Sequence, residues 1–583
     1  YYTPLAVVDK AYDKLTETLG NNWQKNYIVW DMCCGVGNLE VKHSNPRNIY
    51  MSTLDEADVD VMKATKTCVA AQRFQYDYLN DDIIVDPSPV RGELVEPPQH
   101  PSTSSGRTGL IDYSLTNKVP EGLRKAIAEG KKILVLINPP YAEAANMLGN
   151  EGKTDVATTK IADSMDDYGY ASRELFTQFL ARISIEMPTA TLAMFSKLKY
   201  VNAPNFEKFR AAWNAKYLGG FVVHSKAFDG LKGDFPIGFL VWATNQNATN
   251  KQPIIEITAE TLNKNVEPIG EKGFYNLPNT QLLTNWIGRQ KANDVDVLPL
   301  INAITPTTKI KGVRRTTWAD GAIGHMLSDS NDLQNAIQTG LFSSVHSIGH
   351  KGGFFVTPEN LWQAAVIFSV RRLIKPTWIN DRDQFLQPNQ PLSDQFKTDC
   401  LIWMLFNGSN LTASANNLEW NGKKWSIVNH FIPYTETEVN APDRFESDFM
   451  VQYLADLQAK AMECVGSPTQ AATNPVGYAP RTESQRQTVR DAYPTPISSE
   501  AQAVLDAGRV LWQAYFAETD VRSVRDELKL NRADVGWYQI RNALKARNAS
   551  GDNVAIDFKP FEAAYKTLGE KLQPQVFELG FLR

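Results

Sequence analysis

The chain has 583 residues, 60 Lys plus Arg against 65 Asp plus Glu, and a hydrophobic fraction of 43%. This is the composition of an ordinary globular protein of two or three domains, which excludes collagen-like, disordered and disulfide-stapled chains. No apolar run reaches bilayer length and no signal peptide is legible, so a cytoplasmic protein with no membrane partner is expected.

In chain order, the first feature is Tyr1-Tyr2-Thr3-Pro4. Tyr27-Ile28-Val29-Trp30 then reads as a short buried strand running into Asp31-Met32-Cys33-Cys34-Gly35-Val36-Gly37-Asn38-Leu39-Glu40. Gly35 and Gly37 permit a tight turn and close backbone approach to a ligand. The third glycine of a dinucleotide fingerprint is missing, and no Gly-Lys-Ser/Thr follows as in a phosphate loop. Asn48 to Asp55 predicts a second strand ending on an acid, with Glu56 beside it. A carboxylate there suits ribose hydroxyls. Phe74-Gln75-Tyr76-Asp77-Tyr78-Leu79 follows, and residues 86–109, dominated by Pro, Ser and Gly, read as a flexible inserted surface loop.

Lys132-Ile133-Leu134-Val135-Leu136-Ile137 is another buried strand, and Asn138-Pro139-Pro140-Tyr141 sits at its C-terminal end. Open α/β sheets bind ligands at that end. The prolines stiffen the loop and remove two backbone donors, leaving the Asn138 amide oxygen, backbone carbonyls and the Tyr141 ring. Two acceptors and a flat ring suit an exocyclic amino group on a planar base. Residues 142–170 are polar and predict a loop, 171–180 carry helical spacing, and 190–195 form the next strand. Lys232 to Trp242 closes the strand series, with Phe235 just ahead of its apolar run.

Taken in order, these segments resemble the motifs of the γ-class DNA adenine-N6 methyltransferases, the family of type IIG and stand-alone bacterial modification methylases. The resemblance covers roughly residues 1–245. It implies an S-adenosylmethionine site drawing on Tyr2, Thr3, Pro4, Asp31, Cys34, Gly35, Gly37, Asn38, Asp55, Asp77, Tyr78 and Asn138. It also implies catalysis by Asn138, Pro139, Pro140 and Tyr141, with Phe235 touching the target base edge-on. The expected fold is α/β: a Rossmann-like S-adenosylmethionine-dependent methyltransferase domain over 1–248, with the 86–109 insertion. A mixed α+β target-recognition region over 249–440 and a mainly helical part over 441–583 follow. Val504 to Phe516 and Val535 to Ala546 carry helical patterning, and Pro475 to Pro496 reads as a linker.

The expected partner is double-stranded DNA. A formal net charge of −5 is unusual for that role, but charge can be local: Lys309 to Arg315, Arg371-Arg372 and Lys423-Lys424 are basic stretches. Five cysteines, at 33, 34, 68, 400 and 464, show no zinc spacing, and the glycines around His346 and His350 argue against a helical metal pair, so no metal is expected. Duplex adenine must be flipped out to be reached. Asn138 Oδ1 and the Pro139 carbonyl would accept its amino hydrogens, Tyr141 would stack, and neither Cys33 nor Cys34 would act as a nucleophile. Two alternatives share the chemistry. One is the modification part of a type IIG restriction enzyme whose nuclease lies upstream; the other is an RNA or protein-amide methyltransferase.

Overall fold

A computed structural model describes residues 3–83, 118–141, 159–213, 215–244, 254–293, 297–300, 318–328, 330–345, 353–420, 422–463, 497–517, 533–551 and 554–583. Tyr2, the 86–109 insertion, His346, His350, Cys464, the basic stretch at 309–315 and the 475–496 linker lie outside those residues. The chain forms two compact units: residues 1–277 with 377–382, and residues 278–376 with 383–583.

The first unit is built on a nine-stranded sheet. Its strands are β1 (Ile28–Asp31), β2 (Ile49–Thr53), β3 (Gln72–Gln75), β4 (Ile133–Ile137), β5 (Thr191–Ser196), β6 (Lys216–His224), β7 (Pro236–Ala243), β8 (Glu256–Leu262) and β9 (Pro268–Tyr275). The order is β3-β2-β1-β4-β5-β7-β6-β8-β9. The first five run parallel, β7 is antiparallel to both its neighbours, β8 is parallel to β6, and β9 is antiparallel to β8. Because β8 and β9 continue this sheet, the unit runs to Leu277, past the position 248 expected from sequence.

Side chains alternate strictly between the two faces, as the strand period requires. Val29, Leu134, Leu136, Ala193, Phe195, Phe239 and Val241 pack on one side, against Val7, Val8, Ala11 and Leu15 of α1 (Leu5–Leu19) and Val59 and Met62 of α2 (Glu56–Ala64). Trp30, Ile133, Val135, Ile137, Leu192, Met194, Leu240 and Trp242 face the other way. They meet Leu123 of α3 (Glu121–Ala128) and Phe176, Phe179, Leu180 and Ile183 of α4 (Leu175–Glu186). With both faces covered, β4 is buried throughout, which is why it reads as an unbroken aliphatic run.

The sheet grows from β1 toward β2 and β3 on one side and from β4 toward β5 on the other. Adjacent chains therefore leave β1 and β4 in opposite directions, which opens a crevice beyond the carboxyl ends of that pair. The link from β1 to β2 makes do with turns over residues 35–42 rather than a helix.

In the second unit, β10 (Gly324–Leu327), β11 (Gly340–Phe342) and β12 (Phe354–Val356) form an antiparallel sheet, and β13 (Ala415–Trp420) pairs with β14 (Lys423–Ile427). These elements accompany α5 (Leu361–Leu373), α6 (Asp394–Leu405), α7 (Ser499–Ala517), α8 (Trp537–Ser550) and α9 (Lys559–Glu578). One apolar cluster joins all five helices, with Phe406, Trp512, Trp537 and Phe561 at its centre. The regions 249–440 and 441–583 thus share a core from residue 278 onward. Among the described residues no helix is long and apolar enough to cross a membrane.

Candidate active site

Trp30 of β1 pairs with Val135 of β4, so the two loops leave the sheet side by side. Asn138 emerges one residue past β4 and is held at both ends of its amide. Its Nδ2 donates to Thr3 Oγ1 at 2.9 Å, and its Oδ1 accepts from the Tyr141 hydroxyl at 2.7 Å. Thr3 is only 4% exposed and is delivered by α1, which opens with Pro4 as its N-cap, the Pro4 carbonyl accepting from Val7 and Val8. Lys197, one residue past β5, donates from Nζ to the Tyr141 carbonyl at 2.8 Å and ties down the end of the loop.

Tyr141 and Phe235 are both partly buried and pack against the same apolar cluster, beside Cys34 and the α1 face. Phe235 is fixed by its own backbone: its N–H donates to Ser225 Oγ at 3.3 Å and its carbonyl accepts from Ser225 N at 3.0 Å. Tyr141 is held through its hydroxyl as well as by packing. Its hydroxyl occupies one acceptor position of the Asn138 oxygen, and burial raises its pKa above the ordinary phenol value, helped by the nearby Cys33. An amide oxygen has a second lone pair, so Asn138 Oδ1 retains room for one more donor.

The glycine turn stands beside this group. Gly35 and Gly37 adopt φ of +52° and +85°. A Cβ on Gly37 would come within 2.6 Å of Met51 Cε, whereas a Cβ on Gly35 would meet nothing within 4 Å. A side chain at Gly37 would thus have to displace the tip of Met51, whereas Gly35 faces open space. Asn38 is half-buried in the same turn. Asp31 is 1% exposed and accepts from Cys33 N at 2.8 Å; burial pushes its carboxyl up to about 6. Beside it lies Glu40, equally buried, whose carboxyl oxygens have no hydrogen-bond partner of good geometry; burial and then Asp31 hold its pKa well above the ordinary value. Burial and the same acids raise both Cys33 and Cys34, so neither is a thiolate near neutral pH.

Asp55 lies two residues past β2 and caps α2, its Oδ1 accepting from Ala57 N at 2.9 Å. Asp77 lies two residues past β3 and accepts from Leu79 N at 3.1 Å and Asn80 Nδ2 at 2.8 Å. Both carboxylates keep acceptor capacity, since each has about four lone-pair sites. Tyr78 is placed elsewhere. It is 2% exposed in the cluster on the α4 face, stacked on Phe179, with its hydroxyl donating to Glu186 Oε2 at 3.0 Å. The buried Arg182 of α4 donates to the Tyr78 carbonyl and to Tyr76 Oη, and so holds the backbone after Asp77 and the side chain before it.

The structure thus gathers Thr3, Asn138, Tyr141 and Phe235 on one side of the sheet, with Asp31, Cys34 and Gly35 at the neighbouring strand end, and keeps Tyr78 in the core. Sequence reasoning missed Lys197, Ser225, Arg182 and Glu40. A lysine directly after a buried strand was the available signal for Lys197; Glu40, between Leu39 and Val41, was a charge in an apolar setting.

S-Adenosylmethionine fits the chemistry of this donor set. Open space faces a glycine turn, a buried acid ends β1, and carboxylates follow β2 and β3. Among the described residues no group of three or more His, Cys, Asp or Glu is arranged to hold a metal ion.

In the second unit the basic pair of α5 is engaged internally. Arg371 is 1% exposed, donates to Thr339 Oγ1 and the Ser330 carbonyl at 2.8 Å each, and lies over the Phe385 ring; Arg372 donates to the Ile337 carbonyl. Arg371-Arg372 is therefore a structural pair rather than a free basic face. Lys423 and Lys424, at the start of β14, are exposed.

No protein-family model matches the chain, and no curated protein matches it. Among solved structures it is similar to the DrdV–DNA complex, at 15% identity and a TM-score of 0.32 over 58% of this chain and 35% of that one. It is also similar to the ATP-dependent type ISP restriction-modification enzyme LlaBIII bound to DNA, at 10% identity and a TM-score of 0.30 over 47% and 20% of the two chains. The M protein of the type I restriction enzyme EcoKI aligns at 11% identity and a TM-score of 0.25 over 45% and 48%. The chain thus spans less than half the length of each of these solved chains, and likenesses of this extent add no weight to the reading of the site.

Proposed function

We propose that this chain is a site-specific DNA methyltransferase acting on N6 of a flipped-out adenine with S-adenosylmethionine as methyl donor. The observation that carries the reading is Asn138, set at the switch point of an open α/β sheet with its amide held at both ends. Asn138 Oδ1 accepts one hydrogen of an exocyclic amino group through its remaining lone pair, and the Pro139 carbonyl accepts the other. Those two bonds favour a pyramidal nitrogen with its lone pair directed away from the protein acceptors. Tyr141 and Phe235 supply apolar surface for a planar base.

Asp31, Cys34, Gly35, Gly37 and Asn38 would hold the cofactor at the β1 turn, Asp55 its ribose hydroxyls and Asp77 its adenine amino group. When bound, that cofactor supplies an activated methyl group on a sulfonium. The residues themselves need only position the target nitrogen, and fixed placement alone accounts for a large rate gain. No thiol nucleophile is required, in keeping with the raised pKa of Cys33 and Cys34. The second unit, residues 278–376 with 383–583, is more than a small-molecule enzyme needs; we assign it to target recognition.

The test is single-molecule methylation sequencing of DNA from cells expressing the chain, beside an Asn138→Ala control. One adenine-centred motif, absent from the control, is the expected result. Unmodified adenine throughout would overturn the DNA assignment and turn the search to RNA or protein amides.

A further inference from the structure

We infer that Thr3 is a positioning residue for Asn138: its hydroxyl fixes the plane of the Asn138 amide so that Oδ1 stays directed at the substrate amino group. This rests on the reading of Asn138 as the acceptor for that group.

The geometry is specific. Thr3 and Asn138 are 135 positions apart, yet Asn138 Nδ2 donates to Thr3 Oγ1 at 2.9 Å. Thr3 is 4% exposed, so water competes little for the bond. Its backbone has little freedom, because Pro4 caps α1 and Val7, Val8, Ala11 and Leu15 of that helix are completely buried. The hydroxyl is thereby carried on a rigid element to the end of β4.

An asparagine amide is nearly symmetric in shape, and its two ends differ only in hydrogen bonding. A flipped Asn138 would turn two donors toward an amino group that itself donates. Two hydroxyls flank the amide, and each could serve either end. The phenol of Tyr141 is the stronger acid and hence the better donor, so it takes the amide oxygen. Thr3 is left to accept from Nδ2. Removing the Thr3 oxygen takes away the protein partner of that N–H2 group at a half-buried position, and a flip or a swing of the side chain relieves the loss. The resemblance implies that Thr3 touches the cofactor; in the structure its oxygen accepts from Asn138 Nδ2.

The test compares wild type, Thr3→Val and Thr3→Ser in the full chain. Two quantities are read: S-adenosylhomocysteine affinity by calorimetry, and single-turnover transfer of labelled methyl to a pool of unmethylated random-sequence duplex DNA. Thr3→Val, nearly isosteric, is expected to slow transfer about tenfold or more, since small misplacements near the reacting atoms cost that much. Its affinity for S-adenosylhomocysteine is expected to stay within about twofold, and Thr3→Ser to restore the rate. If Thr3→Val does not fold, Thr3→Ala makes the same comparison. An affinity loss equal to the rate loss makes Thr3 a cofactor contact and overturns the inference. An unchanged rate, or a failure of Ser to rescue, does so too. A wild type that binds S-adenosylhomocysteine yet transfers nothing overturns the proposed function, and this inference with it.

Discussion

The Tyr141 hydroxyl donates to Asn138 Oδ1 at 2.7 Å, so the proposed catalytic acceptor is engaged by its own motif. The bond spans three residues across two prolines, and it joins the acceptor to the ring proposed to meet the base. Either the oxygen accepts two donors at once or the hydroxyl withdraws when the base arrives.

Tyr141→Phe separates these cases. It keeps the ring and deletes the donor, at a cost of about 1 kcal/mol for a lost partly buried hydrogen bond. Melting should shift by a few degrees at most. If the hydroxyl must withdraw, transfer by the variant is expected to be equal to or faster than wild type. If it orients the amide, transfer should slow severalfold. Rapid-quench measurement of a single turnover decides between them, and Tyr141→Ala should lose far more than Tyr141→Phe in either case.

Asn138→Ala removes the acceptor. Loss of one preorganised polar contact to the reacting group typically costs about 10²–10³-fold in rate. Cofactor affinity, measured by calorimetry with S-adenosylhomocysteine, is expected to fall much less. A variant that loses both equally would show that Asn138 serves binding and not chemistry.

Gly35 and Gly37 should respond differently to alanine. Both adopt positive φ, so each substitution carries backbone strain of about 1 kcal/mol. At Gly37 the new methyl also meets the side-chain ends of Met51 and Thr67, which must shift, and thermal melting should register a larger loss of stability than at Gly35. At Gly35 nothing lies within 4 Å. There the expected result is a modest change in melting temperature and a clear drop in S-adenosylhomocysteine affinity. Equal affinities for Gly35→Ala and wild type would place the cofactor elsewhere.

Asp31 and Glu40 predict a pH dependence. Burial raises both carboxyls above their unfolded values, Asp31 to about 6, and the neighbouring Asp31 raises Glu40 further. A carboxyl with a raised folded pKa favours folding at low pH, and that contribution is lost as pH rises through the folded value. The window opens above the ordinary carboxyl range, passes about 6 for Asp31 and continues upward for Glu40. Around the pair stand Tyr12 from α1, Cys33 and Cys34 from the same turn, and Cys68, none of which carries positive charge. Glu40→Gln keeps the shape of the side chain and cannot ionise. Its melting temperature is expected to hold above about pH 6 while the wild-type value declines. Parallel declines would show that the slope comes from other groups.

In the second unit, Asp399 is 1% exposed on α6, accepts from Ser498 Oγ at 2.7 Å and pairs with Lys571 of α9 at 2.8 Å. Lys571 also reaches Glu500 of α7 at 3.1 Å, so one lysine ties three helices. Deleting one partner of a buried pair costs about 3–5 kcal/mol. Because Lys571 is 25% exposed and keeps Glu500, Asp399→Ala is expected to cost about 2 kcal/mol. Denaturant unfolding of the whole chain should show a lower midpoint for the transition that carries this unit.

Much of the first unit was legible in the chain because burial has a period. Ile133 to Ile137 is aliphatic throughout since both faces of β4 are covered, and Asn138 had to lie at its end. Gly35 and Gly37 announced a turn since only glycine adopts such backbone freely. Partnership has no such period. That Thr3 reaches Asn138, that Tyr78 belongs to Arg182 and Glu186 in the core, and that β8 and β9 extend the sheet all depend on closing long loops. Arg371 likewise read as a basic surface residue until α5 turned it inward onto Thr339, Ser330 and Phe385. Residue type determined which groups could accept, donate or strain; which of them met was decided by the parallel pairing of β1 with β4 and by the packing of α1 across that sheet, contacts between segments more than a hundred residues apart.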